Sequence, residues 1–288
     1  MEKAISSTHI RFGHSPDPDD AFMFYAFAHE TIPMRGFKVS HVIEDIESLN
    51  QRALQNAELE VTAVSCHAYA YLADKYAVMR SGASIGEKYG PILVSRSTVL
   101  GSRSSIRGKR IAIPGKLTTA YLALQIYAKE TTENFTPVFI PFDQIMDAVA
   151  KGDVDLGLVI HEGQLTHAAH GLVKVLDLGE WWHSETKLPL PLGVDVIRKD
   201  LGAETMRNFS QLFKESILYS LKNRAPALEY AIQYGRGLAP DLNDKFVGMY
   251  VNDRTVEIGA DGEAGFRRLL DEGFRKGILS HKVNIEFI

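Results

Sequence analysis

The chain has 288 residues, 45% of them hydrophobic, which excludes a disordered polypeptide and allows two domains of ordinary size. A formal charge of −4 with no clustered Lys or Arg excludes a polyanion-binding face, so no nucleic-acid partner is expected. The longest apolar run, AFMFYAFA, cannot span a bilayer, the N-terminal stretch lacks the apolar core of a leader, and the lone Cys66 permits neither an intrachain disulfide nor a cysteine zinc cage; a cytoplasmic protein with no membrane partner is expected.

In chain order, the strand IRFGHS runs into the polar stretch SPDPDD and a helix beginning near Asp19. Asp19 or Asp20 suits the N-cap of that helix. A metal site of His14, Asp17, Asp19 and Asp20 is the less favoured alternative, because no calcium-loop spacing is present. Next come strand FKVSHVIE, helix IESLNQRALQNA and strand EVTAVSCHA, where Cys66 reads as a small buried apolar residue. A second set follows with the same rhythm: strand KRIAIPG, helix TTAYLALQIYAKE, strand TPVFIPF, helix DQIMDAVAKG and strand VDLGLVIHEG. The segments GPILVSRS and LPLPLGVDVIRKD are extended and interrupted by Pro or Gly, as chain crossings between two domains would be. The remainder is read mostly as amphipathic helices.

This alternation predicts an α/β protein of two lobes, with two mixed sheets flanked by helices and joined by two crossing strands, the layout of type II periplasmic binding proteins. The expected division is residues 1–97 with 197–288 in lobe 1 and 98–196 in lobe 2, with a ligand cleft between them. Strand ends and the helix starts after them line clefts of this kind. They are His14–Asp20, Val64–His67, Pro114–Ala120 and Ile160–Gly163. Thr118 and Thr119 open a helix whose free N–H groups suit a carboxylate. Ser65 ends an apolar strand, and His161 ends another at a position suited to a base. If the strand continued, Glu162 would face away from His161. The tryptophans Trp181 and Trp182 fit either stacking on a flat ligand or core packing.

The stretches SPDPDDAFMFYA, VIEDIESLNQRAL, SGASIGEKYGPILV, PGKLTTAYLAL, DLGLVIHEGQLT, DLGEWWHSETKLPLPLG and MYVNDRTVEIG, in this order, resemble the 1,4-dihydroxy-6-naphthoate synthases of the futalosine route to menaquinone. The resemblance spans essentially the whole chain. It implies a carbon–carbon lyase that uses no cofactor and no metal, taking cyclic dehypoxanthinyl futalosine to 1,4-dihydroxy-6-naphthoate with release of a three-carbon fragment. His161 matches the base, and Asn50, Ser65, Thr118 and Thr119 match the contacts to a small aromatic carboxylate substrate. A monomer or homodimer is expected. The chain departs from the family pattern SPCPND at Asp17 and Asp19, which puts unexpected acidic groups near a carboxylate ligand. The alternatives are a chorismate dehydratase of the same pathway, against which IHEG argues, and a non-catalytic solute-binding protein, against which the missing leader argues.

Overall fold

A computed structural model describes residues 7–96, 106–235 and 239–288. The first stretch holds β1 (Thr8–His14), α1 (Pro18–Ala28), β2 (Phe37–Ile43), α2 (Ile46–Asn56), β3 (Val61–Ser65), the single turn α3 (Cys66–Tyr69), β4 (Tyr76–Val78) and β5 (Ser84–Gly86). The middle of the chain supplies β6 (Ile92–Ser95), β7 (Arg110–Ile113), α4 (Thr119–Glu130), β8 (Thr136–Phe139), α5 (Ile145–Lys151), β9 (Leu156–Val159), α6 (Gly163–Thr166), β10 (Val173–Asp177) and α7 (Leu178–Thr186). The chain returns through β11 (Leu190–Arg198) to α8 (Ala203–Lys222), α9 (Arg224–Ile232), α10 (Pro240–Tyr250), α11 (Asp253–Val256) and α12 (Gly259–Arg275).

Local chemistry explains the boundaries that matter for the site. Asp45 caps α2 by accepting from the backbone N–H groups of Glu47 and Ser48, and Thr118 caps α4 by accepting from Tyr121. The run AFMFYAFA is apolar all round because α1 is covered on several sides: Phe24 stacks on Phe213 of α8 at 5.3 Å, Phe12 of β1 meets Phe24 at 4.5 Å, and α9 packs alongside.

The sheets carry the quasi-repeat. In the first, ordered β2-β1-β3-β11-β4 with β5 also on β11, β1 lies parallel to both β2 and β3. In the second, ordered β10-β6-β9-β7-β8, β7 lies parallel to β8 and β9 in the same arrangement. Each sheet is then extended by an antiparallel strand on its third member, β11 on β3 and β6 on β9. The expected boundary between residues 97 and 98 lies outside the described residues; β6, just before it, already pairs in the second sheet. The boundary between 196 and 197 falls inside β11, which pairs in the first sheet along its length. Among the described residues no helix is long and apolar enough to cross a membrane.

Candidate active site

The loop between β1 and α1 is folded back on itself. The N-cap of α1 is Asp17, followed by Pro18, so the expectation that Asp19 or Asp20 caps this helix is corrected: both lie in its first turn. Asp17 makes no side-chain cap bond. Instead Ser15 Oγ lies 2.7 Å from Asp17 Oδ2 and 2.7 Å from Asp20 Oδ2, and Ser15 N–H also donates to Asp20 Oδ2 at 2.7 Å. His14 is turned away from these carboxylates: Nδ1 pairs with Ser15 O at 2.9 Å, Nε2 with His41 Nδ1 at 3.0 Å, and the ring stacks on Phe24. With both ring nitrogens engaged, His14 cannot join the aspartates as a metal ligand. Among the described residues, no group of three or more His, Cys, Asp or Glu is arranged to hold a metal ion.

His161 reaches the same place from the other sheet. β9 stops at Val159, and His161 sits in the following turn with φ of 55°, a left-handed conformation that a non-glycine residue adopts at a cost. The strand therefore does not continue through Glu162, which instead precedes the short helix α6. The imidazole packs edge-on to Phe142 at 5.1 Å, and its Nδ1 is 3.1 Å from Asp17 Oδ2. A second bridge runs parallel to this one, from Gln164 Nε2 to Tyr250 OH at 2.7 Å.

Between the sheets lies a cavity of about 110 Å³. Ser65, Thr118, Thr119 and His161 line it, together with Asp17, Asp19, Asp20, Asp195, Gln164 and Tyr250. Asn50 does not. Its amide is fully buried behind Ser65, accepting from Ser65 N–H at 2.9 Å and donating to Ser65 Oγ at 3.1 Å, so the expected ligand contact is corrected to a support of Ser65. The threonine hydroxyls are also committed, Thr118 to its cap and to Gly115 O, Thr119 to the backbone N–H of Cys66 at 2.8 Å. α4 brings its N-terminal residues Thr118, Thr119 and Ala120 to the cavity, where the first backbone N–H groups of a helix lack intrahelical partners. Cys66 is buried and free, as expected.

No Lys or Arg lines the cavity, so burial governs its carboxyls. Desolvation, with Asp20 and Asp17 nearby, holds Asp19 well above the usual carboxylate range, and desolvation with Asp20 does the same to Asp195. Asp20 is pushed up to about 6, chiefly by burial. Burial thus disfavours the charged form of both Asp19 and Asp195. Asp19 Oδ1 is buried without a hydrogen-bond partner in the protein. Gly82, at φ of 90°, leaves room for Asp195, whose Oδ2 would lie 2.1 Å from a Cβ at that position.

The two sheets joined by two crossings are shared with the periplasmic aliphatic sulphonate-binding protein of Escherichia coli, at TM-score 0.69 and 12% identity, covering 96% of this chain and 90% of that one. That likeness shows the fold alone. A crystal structure of an Archaeoglobus fulgidus protein aligns at TM-score 0.88 with 46% identity, over 94% of this chain and 98% of its own. A family model described as menaquinone biosynthesis matches residues 10–275. The 1,4-dihydroxy-6-naphtoate synthase of Thermus thermophilus is 38% identical over 93% of this chain and 95% of its own length, and that of Streptomyces coelicolor 33% identical over 96% of each. The chain belongs to the menaquinone-biosynthesis family.

In this family member the segments left open by the sequence have structural places. Trp182 is 1% exposed in the core and donates from Nε1 to Pro189 O at 3.1 Å; Trp181 packs edge-on to Tyr127 at 5.3 Å, and neither lines the cavity. YVNDRT delivers Tyr250 to the site. Asn252 and Thr255 close a capping box on α11, and Thr255 Oγ1 donates to Tyr250 O at 2.5 Å. Sequence reasoning missed Gln164, Asp195 and Tyr250 as lining residues. Gln164 lies within the quoted HEGQL and Tyr250 opens YVNDRT, but only pairing across the cleft shows what they face.

Proposed function

We propose that the cleft performs the 1,4-dihydroxy-6-naphthoate synthase reaction: His161 removes a proton from cyclic dehypoxanthinyl futalosine, a carbon–carbon bond breaks in retro-aldol fashion, a three-carbon fragment leaves, and the bicycle becomes aromatic. The observation that carries this reading is His161 itself, held in a left-handed turn with its Nδ1 on a buried carboxylate and its ring at the cavity. A positioned imidazole of this kind is a general base. The substrate is a small aromatic carboxylate. Its carboxylate group fits the N-terminus of α4 and Ser65, where backbone N–H groups and a hydroxyl supply donors without a competing cation.

Burial favours the protonated forms of Asp19 and Asp195, which eases the conflict of these acidic residues with an acidic ligand. A protonated carboxyl donates a hydrogen bond, so these two suit the oxygens on which negative charge grows as the carbon–carbon bond breaks. No step in this scheme calls on a cofactor. The protein acts in the cytoplasm, a reading supported by the biosynthetic family, and is proposed to be a monomer or homodimer. Chromatography of a reaction with the cyclic futalosine derivative tests the proposal. Naphthoate should accumulate with turnover, and chorismate supplied in its place should remain unchanged; dehydration of chorismate with no naphthoate formed would establish the dehydratase instead.

A further inference from the structure

Asp17 and His161 belong to opposite sides of the cleft, α1 on the first sheet's side and the turn after β9 on the second's. Their contact, Oδ2 to Nδ1 at 3.1 Å, therefore exists only while the two sides are together. The carboxylate is 2% exposed and is anchored behind by Ser15. Ser15 Oγ carries a single proton yet lies 2.7 Å from both Asp17 Oδ2 and Asp20 Oδ2. Both carboxylates thus gather on Ser15, whose N–H also donates to Asp20 Oδ2, and this fixes Asp17 Oδ2 at the cleft. Asp17 is left as an acceptor toward the imidazole, so Nδ1 carries the hydrogen and Nε2 the lone pair.

We propose that Asp17 is the positioning residue for His161, a carboxylate brought across the cleft by closure that fixes the imidazole with its proton on Nδ1 and makes Nε2 a stronger base. The base is then assembled only around an enclosed substrate. This rests on the reading of His161 as the general base. Other titratable groups share the imidazole's surroundings: Asp19 and Asp20 from α1, Asp195 from β11, Tyr250 from α10, Glu162 beside it in the turn, and Asp143 next to Phe142. Asp17 Oδ2 is placed 3.1 Å from Nδ1, from the opposite side of the cleft.

The test is Asp17→Asn with cyclic dehypoxanthinyl futalosine. kcat should fall on the order of 10–100-fold, with substrate Kd within about threefold of wild type, and 15N-histidine NMR of the variant should show the Nδ1-protonated tautomer of His161 lost. A kcat within about threefold of wild type, or an unchanged tautomer, overturns the proposal. Should the variant not fold, 15N-histidine NMR of the wild type bound to 1,4-dihydroxy-6-naphthoate decides the matter: Nδ1 protonated and Nε2 bare supports it, and the opposite tautomer overturns it. His161→Ala separates the two readings. If it is inactive while Asp17→Asn keeps the wild-type kcat, this inference alone fails; if it is fully active, the base assignment fails first.

Discussion

Asp195 lies in a strand, packs under Gly82 and shares its cavity with three other aspartates, and that crowding sets its charge. Its pKa is raised in the fold relative to about 4 in the unfolded chain, so its contribution to stability is fully present below pH 4 and is lost as pH rises through the folded value. Asp195→Asn, which mimics the neutral acid, should leave Tm unchanged near pH 4 and raise it at pH 8 by about 2–4 °C, on the order of 1 kcal/mol. Calorimetry at the two pH values checks this, and equal shifts at both would show that the carboxyl is not held neutral. Little of this was legible in the sequence. Strand ends pointed to Ser65 and His161, because an apolar run that stops on a polar residue marks a sheet edge. The neighbours beside them, Asn50 behind Ser65 and Asp17 beside His161, lie 15 and 144 positions away and meet them only through the packing of α2 on β3 and across the cleft.

At the scale of elements, the two β-α-β-α-β sets were legible because each alternates strand and amphipathic helix with few interruptions. The short strands β4 and β5 and the turns α3 and α11 were not, since three or four residues carry no period. The crossings were recognised as extended, but their sheet was not: β6 and β11 each join the sheet that the neighbouring chain segment had not led one to expect. Helix α7 shows why the tryptophan pair resisted reading from sequence alone. Trp182 is among the largest fully buried side chains, packed between β11 and the helices α4 and α12, while its neighbour Trp181 covers the edge of the second core. Trp182→Ala should cost about 3–5 kcal/mol and lower Tm by roughly 6–15 °C. Thermal unfolding followed by circular dichroism measures it, and a loss below about 1 kcal/mol would contradict the packing described.

At the scale of the whole molecule, side chains from the two sides of the cleft meet at the site. Asp17 meets His161, Gln164 meets Tyr250, and Thr119 accepts from Cys66 N–H, each pair bridging the two sides of the cleft. The cavity that these bridges flank measures about 110 Å³. On the proposed reading of His161 as the base, binding and chemistry should be separable by mutation. The rate of naphthoate formation by His161→Ala in a single turnover, with substrate saturating, tests this most directly. Loss of a positioned base predicts a fall of roughly 10²–10⁴-fold, about 3–5 kcal/mol of barrier, with Kd by calorimetry within about tenfold of wild type. A variant that keeps more than about a tenth of the wild-type rate would contradict the assignment of His161 as the base.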